Sequence, residues 1–290
     1  MNVILQILVS GCAVGMIYSV TAFGYQLTFA TSGTMNFAQG QALAVGALAG
    51  LSIMQWVGSY WLMIPLVLAV GAAVGAVTER VAVRRSIAAK SEGWIMATIA
   101  LGIIMTNVAE NIWGTDDLKF PSPLPDRRIT IAGASVLPME LLVIVGALAL
   151  MAAVELFNRR TIYGKAVVAT ASDSDAASLM GIDTRRVVTF SYALSCMSAA
   201  FAGILIAPLT MAGADMGATL GLKAFAVAII GGLTSGFGII AGGVILGVVE
   251  TFTGYYISSG YKDVPGLLLL LAVLAVKPAG LFGRTSIRKV

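Results

Sequence analysis

The first 78 residues of this 290-residue chain carry no charged side chain, and Glu79 is the first. A soluble domain needs about a quarter of its residues charged to cover its surface. A tract this long without charge has lipid as its natural solvent. In lipid every backbone N–H and C=O must find its partner within the protein, which leaves helices and closed barrels as the spanning forms. The apolar runs here are continuous and not alternating, and several reach the roughly 18 to 20 residues that cross a bilayer as helix. The composition agrees, with 58% hydrophobic and 11% charged residues. The expected fold class is an all-α polytopic membrane protein.

The apolar runs fall at about residues 3–27, 41–55, 61–77, 94–113, 137–157, 187–209, 224–230, 239–256 and 264–276. The polar stretches between them reach only about 25 to 30 residues, too short for a second core. Residues 1–290 therefore read as a single transmembrane domain of about eight or nine segments, broken helices included. A secretory signal would carry a basic leading region, so the run at 3–27 is expected to stay as a membrane helix, with an external N-terminus.

Loops 80–90, 159–186 and 277–289 hold 13 of the 18 Lys and Arg, which places them and the C-terminus on the cytoplasmic side. The loop at about 114–137 mixes Asp116, Asp117, Lys119, Asp126, Arg127 and Arg128 with Pro121, Pro123 and Pro125, and is expected to be external and non-helical. For the basic tail to lie inside, the region after Asp215 must cross an odd number of times. This favours a helix interrupted at the glycines of 231–238.

Several chemistries are excluded by what the sequence lacks. There is no Walker A pattern, so ATP and its Mg²⁺ would have to bind partner subunits, and no cofactor is expected on this chain. Histidine is absent, and Cys12 and Cys196 sit alone inside apolar runs, so neither a metal site nor a disulfide is expected. The basic residues are tied to membrane boundaries, which leaves no nucleic-acid surface.

The segment from Arg159 to Val187 differs in kind, being polar and lying between two long apolar runs. On a helical wheel Val168, Ala169, Ala176, Leu179 and Met180 share one arc, while Thr170, Ser174, Ala177, Ser178 and Gly181 fall largely opposite. Asp173 is suited to cap a short helix and Gly181 to end it in a left-handed turn. The result is a compact helix with a small, uncharged close-approach face, suited either to docking a partner or to lying on the membrane.

The second departure is the polar break at residues 28–41, which leads directly into another apolar run. Irregular backbone at membrane depth is tolerated only where protein or a wet cavity surrounds it. Asn36 is placed to cap the next helix and Gln39 lies on its first turn. Pairs of glycines four apart, at 11/15, 46/50, 71/75, 238/242 and 243/247, predict closely packed helix seams. Glu250, deep in an apolar run, either serves transport or bonds to a neighbouring helix.

Asn36-Phe37-Ala38-Gln39-Gly40 resembles the Asn-Phe-Ala-Gln-Gly-Glu signature of the permeases of branched-chain amino-acid ABC importers, with Gln41 where Glu is usual. The likeness extends to Asp175-Ala176-Ala177 followed by Gly181, where the family has Glu-Ala-Ala-x-x-x-Gly. It also takes in Lys223-Ala224-Phe225, Gly231-Gly232 and the ending Lys277 to Gly283. What the resemblance implies is an ABC importer permease bundle in a bacterial inner membrane. It would pair with a second, related permease, two cytoplasmic ATPase subunits and a periplasmic binding protein. It further implies that Asp173, Asp175, Ala176, Ala177 and Gly181 form the ATPase-coupling contact, and that Asn36, Phe37, Gln39 and Gln41 border the translocation path. The implied cargo is branched-chain or related amino acids, although relatives also carry urea, short amides and other amino acids. The rival reading is a secondary carrier working without ATPases, which leaves the 173–181 helix without a purpose and has few embedded ionisable groups for ion coupling.

Overall fold

The computed structural model describes residues 2–89, 91–125, 127–131, 134–277 and 280–283. The uncharged N-terminal tract folds as two helices joined by a break: α1 (Asn2–Ser32) and α2 (Gln39–Val57). At 31 residues α1 is about 46 Å long, more than the hydrocarbon thickness of a bilayer. α3 (Tyr60–Thr78) continues through a π-helical turn (Glu79–Val83) into α4 (Arg84–Ala88), and α5 (Trp94–Trp113) follows. A hairpin of β1 (Ile129–Ile131) and β2 (Ala134–Val136) leads to α6 (Pro138–Arg160), α7 (Ile162–Ser172) and α8 (Ser174–Leu179). The chain then forms α9 (Thr184–Thr210), α10 (Met216–Gly231), α11 (Gly236–Tyr256) and α12 (Val264–Val276).

Eight helices among the described residues are long and apolar enough to cross a membrane, and α10 is a shorter apolar helix beside them. The segment count agrees with the sequence expectation. Helices α1 and α9 form the centre: α1 packs on α6, α9, α10 and α11, while α9 packs on α1, α2 and α3.

These seams are built from small residues, because apolar side chains gain little by leaving lipid for a protein interior and packing must come from close backbone approach. A Cβ on Gly15 or Gly247 would run into the facing backbone of the α1–α11 seam, and one on Gly75 would meet Tyr192 of α9. The glycine pairs predicted from spacing therefore mark real contacts, and α5 and α12 lie at the periphery, with few of their residues buried.

Three local expectations are corrected. The third apolar run does not end at Glu79. Helix continues to Ala88, and the π turn brings Glu79 over Arg84, five residues on. The glycines at 231–232 do not interrupt one helix but turn the chain between α10 and α11, which pack against each other with Gly231 against Gly238. Lys223 does not precede that helix but lies inside it, since α10 begins at Met216. The loop at 114–137 holds no helix among its described residues, in keeping with the expectation. It contains the β1–β2 hairpin in the register Ile129–Val136, and Leu118 bridges to Ala212.

Candidate functional site

The break between α1 and α2 returns the chain into the protein interior, where its amides are met by its own side chains. Asn36 and Gln39 are fully buried. Asn36 Oδ1 accepts from the backbone N–H of Ala38 at 3.1 Å, closing a turn just before α2 instead of capping the amides inside the first turn. Gln39 Nε2 donates to the Ser195 carbonyl at 3.0 Å, and Gln39 Oε1 accepts from Ser195 Oγ at 2.9 Å. The single Ser195 hydroxyl proton is shared with the Gly24 carbonyl at 2.8 Å, and Asn36 Nδ2 reaches Cys196 Sγ at 3.3 Å. Thus α1, the break, α2 and α9 meet in one polar knot inside the bundle. Cys196 belongs to this packing, as its isolation in the sequence implied.

Phe37 and Gln41 face a different neighbourhood. The Phe37 ring stacks on Trp94 at 6.2 Å and packs on Phe225 at 5.5 Å. With Tyr25, Gln41 and glycines 102, 217 and 221, Phe37 and Phe225 line a cleft of about 270 Å³ between α2, α5 and α10. None of the residues lining it is charged. The four path candidates therefore divide into a buried pair and a cleft-lining pair on consecutive turns of one segment.

The coupling candidates lie at the end of the bundle where α1, α4 and α9 also have termini. The wheel's single helix is split at Asp173, whose extended backbone (φ −158°, ψ 104°) ends α7 and starts α8. Asp173 Oδ1 accepts from the Ala176 N–H at 2.9 Å, the expected cap, and a side chain that competes for the backbone in this way breaks a continuous helix. Gly181 takes the left-handed position (φ +86°), with Ile182 N–H donating to the Ala177 carbonyl at 3.1 Å and Gly181 N–H to the Ser178 carbonyl at 3.0 Å. Ala177 is buried, whereas Asp175, Ala176, Leu179 and Met180 project outward, the last two 89% and 84% exposed.

A cavity of about 510 Å³ connects this turn to the break. Its walls include Ser32 and Gly33 from the end of α1, Glu79 and Arg84 from the π turn, and Asp173 and Arg185. Beneath it Glu79, itself buried, accepts from Arg84 Nε at 3.0 Å and Nη2 at 2.6 Å and from the Thr189 hydroxyl at 2.9 Å, fastening the end of α3 to the start of α9. The Tyr192 hydroxyl shares a hydrogen bond with that of Thr34 at 2.7 Å. Sequence reading missed this network; the one available signal was Glu79, the first charge in the chain.

A second ionic cluster also escaped prediction. Lys223 Nζ donates to Glu250 at 3.1 Å and to Asp263 at 2.7 Å, and the Tyr18 hydroxyl donates to Glu250 at 2.8 Å. Glu250 thereby has the neighbouring-helix partners that formed one of its two sequence readings.

A bundle of apolar helices, broken by a buried polar turn and carrying a capped turn at one end, defines a polytopic α-helical membrane protein. Its fold is shared with PsaBC from Streptococcus pneumoniae, solved in complex with a Fab, at a TM-score of 0.50, 15% identity and coverage of 93% of this chain and 91% of that one. Residues 7–274 match the family described as branched-chain amino acid transport system / permease component. The chain is 31% identical, over 99% of its length and 97% of the relative's, to the high-affinity branched-chain amino acid transport system permease protein LivH of Salmonella typhimurium. It is 28% identical to the corresponding protein BraD of Pseudomonas aeruginosa, over 99% of this chain and 98% of that one.

The chain belongs to the family of permease components of branched-chain amino acid transport systems. It is a multi-pass inner-membrane permease subunit of an ABC importer, a transport component that acts within a complex with other subunits.

Proposed function

We propose that this chain forms one half of the pathway through which branched-chain amino acids, handed over by a periplasmic binding protein, are driven inward by ATP. Its companions are a second, related permease and two cytoplasmic ATPase subunits, which hold the ATP and Mg²⁺. The observation that carries this reading is α8. It is a turn capped at both ends, at the same end of the bundle as the basic loops, and it presents Leu179 and Met180 to the outside. Apolar side chains exposed in an otherwise polar segment mark a surface that a partner covers.

The residues Asp173, Asp175, Ala176, Ala177 and Gly181 shape that contact. Motion of α8 passes through residues 180–183 to the start of α9, whose second turn Thr189 ties to Glu79. Further along α9, Ser195 holds Gln39, so displacement of α9 acts directly on the break. In this reading Asn36 and Gln39 set the position of the break, while Phe37 and Gln41 border the path along the uncharged cleft. The end bearing α8 and Lys277 is cytoplasmic, and the N-terminus external, by the distribution of Lys and Arg.

The test is reconstitution of the chain in proteoliposomes with its companion permease, both ATPases and the binding protein. Uptake of labelled leucine that requires ATP and the binding protein supports the proposal. Uptake that persists without ATP and collapses with the ion gradients contradicts it in favour of a secondary carrier.

A further inference from the structure

Between α10, α11 and the start of α12 lies a cavity of about 360 Å³. Its walls are aliphatic, from Leu222, Ala226, Leu246 and Leu267, and its charged groups are gathered in the cluster of Lys223, Glu250 and Asp263. Ala218 and Leu222 also line the uncharged cleft of Phe37 and Gln41, so the two spaces adjoin across α10. Lys223 lies about 10 Å along α10 from its start at Met216, which follows the end of α9 remote from α8. The cavity is therefore nearer the end of the bundle that faces away from the ATPase contact.

The cluster is unevenly held. Glu250 is buried, and its Oε2 accepts from Lys223 Nζ at 3.1 Å and from the Tyr18 hydroxyl at 2.8 Å. Its Oε1 accepts no hydrogen bond among the described residues and is not sealed off from the cavity. Gly266 leaves that oxygen uncovered, since a Cβ there would stand 3.4 Å from Oε1 and 2.7 Å from Leu246 Cδ1. The Lys223 side chain is only 13% exposed, whereas that of Asp263, which holds it at 2.7 Å, is 50% exposed just before α12. An ion pair open to water on one side contributes little, so Asp263 is the partner that exchanges most readily. What then stays buried is one ammonium beside one carboxylate with a free oxygen, together neutral.

We propose that this cavity binds a zwitterionic amino acid with an aliphatic side chain, as a station of the cargo before the Phe37 cleft. The α-carboxylate takes the place of Asp263 on Lys223 Nζ, the α-ammonium donates to Glu250 Oε1, and the side chain lies along Leu222, Leu246 and Leu267. Charge selects the class. Each ionic group of the ligand meets its opposite, and no charge is left unpaired in the membrane interior. An amine without the carboxylate makes only the Glu250 contact, and a carboxylate without the amine brings a second negative charge beside Glu250. The inference rests on the reading that this chain carries branched-chain amino acids, and adds to it a place where they bind.

The experiment is equilibrium binding of tritiated leucine to the full chain in nanodiscs, read by scintillation proximity. The competitors are unlabelled leucine, 3-methylbutylamine (leucine without its carboxylate) and 4-methylpentanoate (leucine without its ammonium). Leucine should bind saturably, and each truncated competitor should displace it about tenfold less well than leucine does, the worth of one charge-assisted hydrogen bond. Glu250→Gln, nearly the same in shape, should weaken leucine by about tenfold or more. Asp263→Asn should tighten it, because the rival for Lys223 is weakened, a gain that a merely structural brace would not give. The proposal is overturned by the absence of saturable binding, by binding that Glu250→Gln leaves unchanged, by an amine that competes as well as leucine, or by an Asp263→Asn chain that binds no tighter. ATP-driven leucine uptake by the reconstituted complex beside any of these results leaves the broader reading standing. Saturable binding with the expected variant effects but without such uptake keeps the site and contradicts the broader reading.

Discussion

Replacing Gln39 with leucine tests whether the polar knot holds the break. Leucine is close in volume, so the change removes hydrogen bonds while leaving little cavity. The bond from Gln39 Nε2 to the Ser195 carbonyl at 3.0 Å is lost, together with Gln39 Oε1's share of the single Ser195 hydroxyl proton at 2.9 Å. A full bond contributes roughly 0.5–1.5 kcal/mol, so these amount to about 1–2 kcal/mol. The Ser195 hydroxyl proton stays with the Gly24 carbonyl at 2.8 Å, and the Ser195 carbonyl is within a helix. Asn36 Nδ2, which also reaches Gln39 Oε1 at 3.4 Å, is left with the weak acceptor Cys196 Sγ at 3.3 Å, which adds about another 1 kcal/mol of imperfectly satisfied donor. The expected destabilisation is therefore about 2–3 kcal/mol, concentrated where α1, α2 and α9 meet. Denaturation by SDS in bicelles measures the stability and proteoliposome uptake measures function, with uptake expected to fall at least tenfold at normal expression. Unchanged stability together with unchanged uptake would refute the reasoning, since a knot that holds the break cannot be dispensable to both.

Gly181→Val should strain the left-handed position by about 1–2 kcal/mol while meeting no neighbouring atom, so the bundle stays folded; ATP hydrolysis in the assembled complex should then run without matching uptake. Gly15→Val should wedge the α1–α11 seam apart and lower SDS resistance more than any single substitution on α12, because the added atoms meet backbone that cannot move aside. Arg84→Ala leaves buried Glu79 with only the Thr189 hydroxyl, and hydrogen exchange at the start of α9 should accelerate relative to its centre.

Much of this arrangement was legible from residue chemistry. The charge-free tract through Thr78 dictated membrane helices, and glycines four apart located the α1–α11 and α3–α9 seams. Asp173 and Gly181 were readable because caps and left-handed turns demand those residue types locally. What stayed hidden depended on distant partners or on competition between local signals. The wheel drew one helix through Asp173 because periodicity ignores the side chain's claim on its own backbone. The π turn at Glu79 rests on Arg84 and on Thr189, 110 residues away, and the Lys223–Glu250–Asp263 cluster joins three helices with no shared sequence period. The α10–α11 turn was mistaken for an interrupted helix because paired glycines serve both, and only the contact of Gly231 with Gly238 separates them.

The central claim is that α8 is the surface through which an ATPase drives this permease. A photo-crosslinking residue placed at Leu179, which is exposed and touches no part of the knot, tests it most directly in native membranes. The account predicts a crosslinked product that contains a cytoplasmic ATPase subunit and whose yield changes when ATP hydrolysis is blocked. Crosslinks to lipid alone, or to a periplasmic protein, would contradict it.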